Sequence, residues 1–228
     1  MREIVLDTET TGLNPEKGDR IVEIGCVELE NHLPTGKTYH QYINPMRSMS
    51  EEVVKVHGLT EEFLSDKPIF SEIADGFLAF IGENTPLVIH NAAFDINFLN
   101  CELKACGKSE LSNPIIDSLL IARKKFPGAK VNLDELCKRF HVDASRRTVH
   151  GALLDSELLA DVYLELITDR ELKFNNIKKV QQNQNIIKNL KNISSKKFPV
   201  REWKINPLEE QAHTEFLSKI KNPIWGEL

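Results

Sequence analysis

Three short acid-bearing motifs, spread along the 228-residue chain, constrain its fold and chemistry more than any other feature. They are Asp7-Thr8-Glu9-Thr10-Thr11-Gly12, His90-Asn91-Ala92-Ala93-Phe94-Asp95 and His150-Gly151-Ala152-Leu153-Leu154-Asp155. The first motif continues an apolar run, Ile4-Val5-Leu6, that is typical of a buried strand. Residues two apart on a strand point to the same face, so Asp7 and Glu9 can face one site. The other two acids must reach that site from elsewhere in the fold.

The carboxylates of Asp7, Glu9, Asp95 and Asp155 form a set that can hold two divalent cations. Mg²⁺ and Mn²⁺ prefer oxygen ligands, and four carboxylates brought together without a cation would repel one another. Two such ions, about 3.5–4 Å apart, serve many nucleases and phosphatases. His150, whose ordinary pKa is near 6.5, can take a proton from the attacking water at neutral pH. The set therefore predicts a metal-dependent nuclease.

Each motif taken alone has an ordinary structural alternative. An isolated Asp-x-Glu is often a solvated strand end, and Asp95 alone could be a helix N-cap or a first-turn acid. His150 and Asp155 could be a surface pair. The coincidence of all three motifs, each on a suitable predicted element, favours the nuclease hypothesis.

The net charge of −5 hides an uneven distribution. Residues 1–172 contain 18 bases and 29 acids, whereas residues 173–201 contain eight bases and no acid. An acidic body binds nucleic acid only where contacts are confined to a cleft and a bound metal offsets the local charge, which favours a short strand end as substrate. The four cysteines show no paired CxxC spacing, and no apolar run approaches a membrane span, so we expect reduced thiols and a cytoplasmic protein without membrane contact.

The pattern of apolar residues predicts an α/β fold with a mixed sheet and helices on both of its faces. Predicted strands are Glu3–Thr8, Arg20–Leu29, Lys37–Ile43, Leu87–Asn91 and Ile115–Asp117. Predicted helices are Ile69–Ile81, Phe94–Cys106, Asp117–Lys125, Leu133–Phe140 and Gly151–Ile167. In the last helix Leu154, Leu158, Val162 and Leu166 form an apolar stripe.

The sequence changes character after residue 172. Residues 173–201 are rich in Lys, Asn and Gln and are typical of a flexible basic linker. Apolar residues are again frequent in residues 202–228. Within this segment, Glu209–Lys221 can form a helix that ends before Asn222-Pro223. A segment this short cannot bury its own aromatic residues. We therefore divide the chain into a nuclease domain at 1–172, a linker at 173–201 and a docking segment at 202–228.

The three motifs resemble those of the DEDDh family of 3′-to-5′ exonucleases, and the H-x-x-x-x-D spacing of the third marks the histidine subclass. Within that family the chain is similar to the proofreading subunits of bacterial DNA polymerase III. The match covers about residues 1–170 and includes Val56-His57-Gly58-Leu59-Thr60, which resembles the family's substrate loop. The resemblance implies a ribonuclease-H-like five-stranded sheet flanked by helices.

The resemblance also implies residue roles. Asp7, Glu9, Asp95 and Asp155 would bind two divalent cations, Mg²⁺ or Mn²⁺, and His150 would be the general base. Thr10, Gly12, Leu13, His57 and Phe94 would bind the terminal nucleotide. For Leu13, His57 and Phe94, packing in the core or in a loop remains the alternative. His90, at the end of a strand, fits a hydrogen-bonded core histidine better than a direct role.

The resemblance also implies a substrate and binding partners. The substrate would be the single-stranded 3′ end of DNA, and residues 202–228 would bind the catalytic (alpha) subunit of polymerase III. A small theta-type subunit and the sliding clamp are further candidates, although Gln181–Ile187 lacks the aromatic end of a clamp-binding motif.

Two other functions stay open at this point. One is an RNA-trimming 3′-to-5′ exoribonuclease similar to ribonuclease T or oligoribonuclease, since the carboxylates do not select against a 2′-hydroxyl. The other is a mainly structural replisome subunit, which the intact set of four acids and one histidine disfavours. The linker and docking segment favour the proofreading exonuclease.

Overall fold

A five-stranded mixed sheet lies at the centre of the first of two compact units, Met1–Asn175 and Asn176–Leu228. The computed structural model describes residues 1–147, 149–168 and 206–219. The strands are β1 (Arg2–Thr10), β2 (Ile21–Glu30), β3 (Leu33–Tyr42), β4 (Leu87–Ile89) and β5 (Ile115–Asp117). Their order is β3-β2-β1-β4-β5, antiparallel among the first three and parallel from β1 to β5. The predicted mixed five-stranded sheet is confirmed.

Helices cover both faces of this sheet, as the sequence predicts. In the first unit they are α1 (Glu51–His57), α2 (Glu61–Leu64), α3 (Phe70–Ile81), α4 (Ala92–Ala105), α5 (Ser118–Lys125), α6 (Leu133–Phe140) and α7 (Ala152–Ile167). Alternate residues of β1 enter different cores, because successive strand side chains point to opposite faces. Ile4 and Leu6 pack with Phe77 and Phe98 of α3 and α4, whereas Val5 packs with Leu159 of α7.

Helix α7 is buried on two sides. The predicted stripe of Leu158, Val162 and Leu166 packs against α5 and α6, and a second row that includes Leu159 and Tyr163 packs on the sheet. Leu154 lies half-buried at the edge of the first group. This double packing fixes the helix whose first turn carries one of the site acids.

Gly25 of β2 allows α7 to approach the sheet closely. A Cβ at this position would lie 2.2 Å from the backbone of Ala152 and Leu153, so no larger residue fits. Ser156 donates its hydroxyl to the Gly25 carbonyl at 2.9 Å. Gly25 is also paired with Asp7 across the β1–β2 ladder. The contact therefore sets the first turn of α7 directly beside Asp7.

Three short elements were not predicted: α1, α2 and a 3₁₀ turn at Pro15–Lys17. Side-chain caps hold all three, since Ser50, Thr60 and Asn14 each accept a backbone N–H of the following turn. These elements are too short to show helical periodicity. The prediction also starts β3 four residues late, at Lys37 instead of Leu33, because Leu33 to Gly36 are exposed and lie beside a register shift in the β2–β3 pairing.

In the second unit the structure describes one helix, α8 (Pro207–Leu217). It begins two residues before the predicted Glu209, because Asn206 caps the Leu208 N–H and Pro207 occupies the first helical position. It ends at Leu217 rather than Lys221. The predicted linker at 173–201 and the remaining parts of the docking segment lie outside the described residues. Within the described ranges, none of the helices combines the length and apolarity of a membrane span.

Candidate active site and metal centre

Strand β1 presents Asp7 and Glu9 on the face covered by α7. The strand continues through Thr10, so both acids belong to regular extended backbone. Asp7 is opposite Gly25 and Glu9 is opposite Glu23 on β2. Glu9 is buried and Asp7 is half-buried, and the predicted common face of the two carboxylates is confirmed.

Asp95 reaches the same place from the first turn of α4. Asn91 begins this helix in the left-handed conformation, with φ of 70°, and Asp117 accepts hydrogen bonds from the backbone N–H groups of Asn91 and Ala92. Thr8 then holds Asp95, since its N–H and its hydroxyl donate to Oδ1 at 3.0 and 2.7 Å. The predicted strand through Asn91 is therefore wrong by two residues, but the position of Asp95 at a helix start is confirmed.

His150 comes from the junction before α7, and Asp155 comes from the first turn of that helix. Gly151 is the N-cap, so His150 precedes the helix, as the 100° turn per residue requires if both residues are to face one site. One ligand atom each of Glu9, His150 and Asp155 lie within 4.8 Å of one another. Asp7 and Asp155 line one cleft of about 350 Å³ with His150. Residues distant in sequence thus converge on a single centre.

Burial and mutual repulsion raise the pKa of three of the carboxyl groups. Burial is the larger cause for each: it raises the pKa of Glu9 to about 8 and that of Asp95 to about 7, and it raises that of Asp7 well above its usual range. The neighbouring carboxylates add to these shifts, Asp95 being the largest contributor at Asp7. Such a cluster gains most from a bound cation, which would offset the repulsion and favour the ionised forms.

Arg147 gives Asp155 a different environment. Its guanidinium makes two hydrogen bonds to the Asp155 carboxylate, at 2.5 and 2.7 Å, and a third to Asp134 at 2.6 Å. Burial tends to raise the pKa of Asp155, but hydrogen bonds from His150 and Arg147 outweigh it and lower the pKa below its usual range. Asp155 is therefore the one carboxylate of the predicted four with a fixed counter-ion inside the described part of the chain.

Arg147 also engages the predicted base. Its Nη2 lies 2.8 Å from His150 Nδ1, while Asp155 Oδ2 lies 3.4 Å from the same nitrogen. The hydrogen bond to Asp155 raises the pKa of His150 above its ordinary value. The His150 backbone N–H donates to the Val56 carbonyl at 3.1 Å, which ties the base to the end of α1.

A fifth buried carboxylate, Glu23, lies next to this set. It contributes to the raised pKa of both Asp7 and Glu9, and its Oε1 lies 2.7 Å from His40 Nε2. Sequence reasoning missed Glu23, Thr8 and Arg147. No local pattern marks them, although a pairing of β1 with β2 would have placed Glu23 across from Glu9.

All five residues that the sequence assigns to nucleotide binding line one cavity of about 180 Å³ beside Glu9. They are Thr10, Gly12, Leu13, His57 and Phe94. Leu13 is 85% exposed at its mouth, so the alternative of core packing is wrong for this side chain. Phe94 is half-buried, with its ring centroid 4.9 Å from that of Phe98.

His57, which lines this cavity, has a ring nitrogen without a hydrogen-bond partner among the described residues. Its side chain is buried, and Nδ1 accepts the Leu59 N–H at 3.0 Å, so the proton of the neutral ring resides on Nε2. Burial lowers the pKa of His57, which keeps the ring neutral. Nε2 has no hydrogen-bond partner in the described structure. A buried N–H of this kind is costly unless a ligand satisfies it.

His90 is a hydrogen-bonded histidine at the end of a strand, as the sequence predicts. Its Nδ1 lies 2.9 Å from the Ser118 hydroxyl, which in turn bonds the Ile89 carbonyl, and burial lowers its pKa. Its ring nevertheless lines the same cleft as Asp7 and Asp155. The four cysteines are free thiols, with Cys26 and Cys137 buried and the other two half-buried.

The family model described as Exonuclease matches residues 4–163, which contain all five converging groups. This chain belongs to the exonuclease family. It is 49% identical over 227 residues to the DNA polymerase III subunit epsilon of Rickettsia felis, covering 96% of this chain and 97% of that protein. It is 48% identical over 173 residues to the DNA polymerase III subunit epsilon of Escherichia coli, covering 72% and 71% of the two chains. Within the exonucleases it therefore belongs with the epsilon subunits.

Solved structures agree on the fold. Exonuclease X in complex with 5′ overhanging duplex DNA gives a TM-score of 0.57 at 25% identity, covering 74% of this chain and 92% of that one. The nuclease domain of 3′hExo, a DEDDh family member bound to rAMP, gives 0.63 at 19% identity with the same coverage. The solved structures therefore agree with the predicted ribonuclease-H-like architecture, and the family model and the epsilon relatives show that the chain is a metal-dependent exonuclease.

Proposed function

We propose that the chain is the proofreading 3′-to-5′ exonuclease of a bacterial replicative DNA polymerase. It hydrolyses the last phosphodiester of a mispaired primer end and releases a nucleoside 5′-monophosphate. The observation that carries this proposal is the convergence of the four carboxylates and His150 beside a small cavity that Glu9 also lines. A site of this shape acts on a strand end rather than within a duplex.

The residues present fit a pair of divalent cations. Asp7, Glu9, Asp95 and Asp155 would hold them, and Mg²⁺ or Mn²⁺ suits an all-carboxylate oxygen set. The raised pKa values of Asp7, Glu9 and Asp95 support this assignment, because a bound cation would offset the cost of burial and the repulsion among these groups and would favour their ionised forms. Bound there, two such ions supply charge stabilisation to the phosphate oxygens and activation of water.

Side chains of the protein accept the proton of the attacking water and bind the terminal nucleotide. His150 accepts a proton from the attacking water, and because Arg147 Nη2 lies 2.8 Å from its Nδ1, this contact has to open before the ring accepts at that atom. His57 Nε2–H donates to an oxygen of the terminal nucleotide. Leu13 and Phe94 pack on its base, and Thr10 and Gly12 shape the wall beside Glu9. Together these contacts hold the scissile bond over the carboxylates.

An exoribonuclease is the second candidate, since no described group in the nucleotide cavity excludes a 2′-hydroxyl on chemical grounds. The decisive assay incubates the full chain with Mg²⁺ and three end-labelled substrates of equal length: a mispaired primer, a matched primer and RNA. We expect the mispaired DNA end to be shortened fastest. Its terminal nucleotide is already unpaired, so the free energy needed to separate it from the template and place it in the cavity is smallest. Faster removal from RNA than from DNA would overturn the proposal in favour of RNA trimming.

The C-terminal segment supports assembly with a polymerase. In α8, Leu208, Ala212 and Phe216 recur every four residues on one side, and Leu208 and Phe216 are 75% and 62% exposed. Exposed aromatic residues are common interface anchors. We propose that residues 202–228 bind the catalytic (alpha) subunit and that residues 173–201 act as a flexible linker between this segment and the nuclease domain, 1–172. A theta-type subunit and the sliding clamp remain candidate partners.

Removal of the segment tests this arrangement. A chain ending at Arg170 should shorten free single strands at the rate of the full chain but fail to co-purify with the polymerase subunit. The linker, treated as a flexible coil of 29 residues, would span roughly 30 Å, so its loss also removes the high local concentration of nuclease at a primer end. Undiminished binding of the truncated chain would show that docking resides in the nuclease domain.

A further inference from the structure

A basic trough adjoins the carboxylate centre and shares no lining residue with the nucleotide cavity. It has a volume of about 530 Å³ and is lined by His90, Asn91, Arg123, Lys130 and Asn132 among others. His90 and Asn132 also line the cleft that contains Asp7 and Asp155. The trough and the cleft are therefore neighbouring parts of one surface depression.

The lining residues of the trough, the nucleotide cavity and the cleft suggest a path for the substrate strand. The nucleotide cavity borders the carboxylates at Glu9, and the cleft borders them at Asp7 and Asp155. These two hollows share no lining residue. A strand whose last nucleotide fills the nucleotide cavity can pass the carboxylates and continue into the cleft, which shares His90 and Asn132 with the trough.

The charge of the trough contrasts with the rest of the domain. Residues 118–133 contain four bases and no acid, whereas residues 1–172 carry 18 bases against 29 acids. Two of these four bases do not line the trough: Lys124 is absent from its lining, and Lys125 donates to the carbonyls of Glu165 and Leu166 at the end of α7. Arg123 and Lys130 are exposed and face the trough.

We propose that this trough binds the phosphates of the substrate strand on the 5′ side of the scissile bond, with Arg123 and Lys130 as the phosphate contacts. The proposal rests on the exonuclease function proposed above and deepens it. Its physical reason is that a strongly acidic domain must confine its hold on a polyanion to a local cationic surface. Asn91 and Asn132, both exposed, add amide donors along the same wall.

The test compares the full chain with its Arg123→Gln/Lys130→Gln variant on oligodeoxynucleotides of two to eight residues. Each lost phosphate contact lowers the salt slope of single-strand binding by about 0.7, which corresponds to about fourfold at 0.15 M salt. We therefore expect the variant's KM for the longer strands to rise roughly tenfold, with kcat little changed. The ratio of variant to wild-type KM should grow with strand length and be smallest for the p-nitrophenyl ester of thymidine 5′-monophosphate.

A matched control is Lys104→Gln/Lys138→Gln, which removes the same charge from exposed positions outside the three hollows. It should keep the wild-type KM and salt slope. An unchanged KM and slope in the trough variant, or a KM rise of equal size on the ester and on the longest strand, would overturn the proposal. Failure of the wild-type chain to hydrolyse both the ester and the strands would instead overturn the proposed exonuclease function.

Discussion

Replacement of Asp7 by Asn is expected to lower exonuclease turnover by about 10³-fold or more, the equivalent of several kcal/mol of charge stabilisation. Asp7 lies at the centre of the cluster, where Asp95, Glu9 and Asp155 all raise its pKa. Removing its charge would take away one of the four proposed metal ligands but would relieve the repulsion among the carboxylates. The metal-free variant should therefore melt at the wild-type temperature or above it, as measured by calorimetry in EDTA.

Mg²⁺ adds a second measurement to this experiment. Saturating Mg²⁺ should raise the melting temperature of the wild-type chain more than that of the Asp7 variant. A ligand that binds only the folded state stabilises that state. Asp66→Asn is the control, because Asp66 is exposed and, among the residues that the structure describes, its ion-pair partner is Lys67 alone. Cleavage at the wild-type rate by the Asp7 variant in saturating Mg²⁺ would contradict the metal assignment.

Replacement of His150 by Ala is expected to lower kcat by about 10²–10⁴-fold, the usual contribution of a positioned acid–base group. Divalent metal should still bind, because the four carboxylates remain. The hydrogen bond to Asp155 raises the pKa of His150, and a base acts only when unprotonated. Wild-type activity should therefore fall as the pH decreases through this raised pKa, and the same acid limb should be missing from the variant's pH–rate profile.

His213→Ala provides the matched control, since His213 is an exposed histidine on α8 in the second unit. On free single strands it should keep both the rate and the profile of the wild type. If the His150 variant retained the acid limb, another group would be responsible for activating the water.

Helices α1 and α2 show why part of the fold escaped prediction. Periodicity needs several turns to be visible, and α1 has seven residues and α2 only four. Their stability comes from caps at Ser50 and Thr60 and from packing of Leu64 and His57 into the domain. Tertiary contacts rather than local propensity hold such short elements.

Arg147 shows that the sequence alone also failed to predict one contact of the active site. The sequence offers two adjacent arginines in a loop, Arg146 and Arg147, with nothing to distinguish them. In the structure Arg146 is exposed and reaches Glu157, whereas Arg147 enters the cleft and pairs with Asp155. A long side chain can occupy positions several ångströms apart, so only the fold of the loop decides which of the two meets the buried acid.

The sequence by itself determined the chemical identity of the centre. The spacing of Asp7 and Glu9 on a strand, of Asp95 at a helix start and of His150 before a helix follows from local backbone geometry, and local geometry is encoded by neighbouring residues. Tertiary structure alone decided how these groups meet. Gly25 lets α7 approach β2, Thr8 holds Asp95, and Glu23 and Arg147 set the charge around them. The contacts of Gly25 and Thr8 join residues far apart in the chain, and the Arg147–Asp155 pair depends on the path of the loop between them, so their energies depend on packing that no local pattern records.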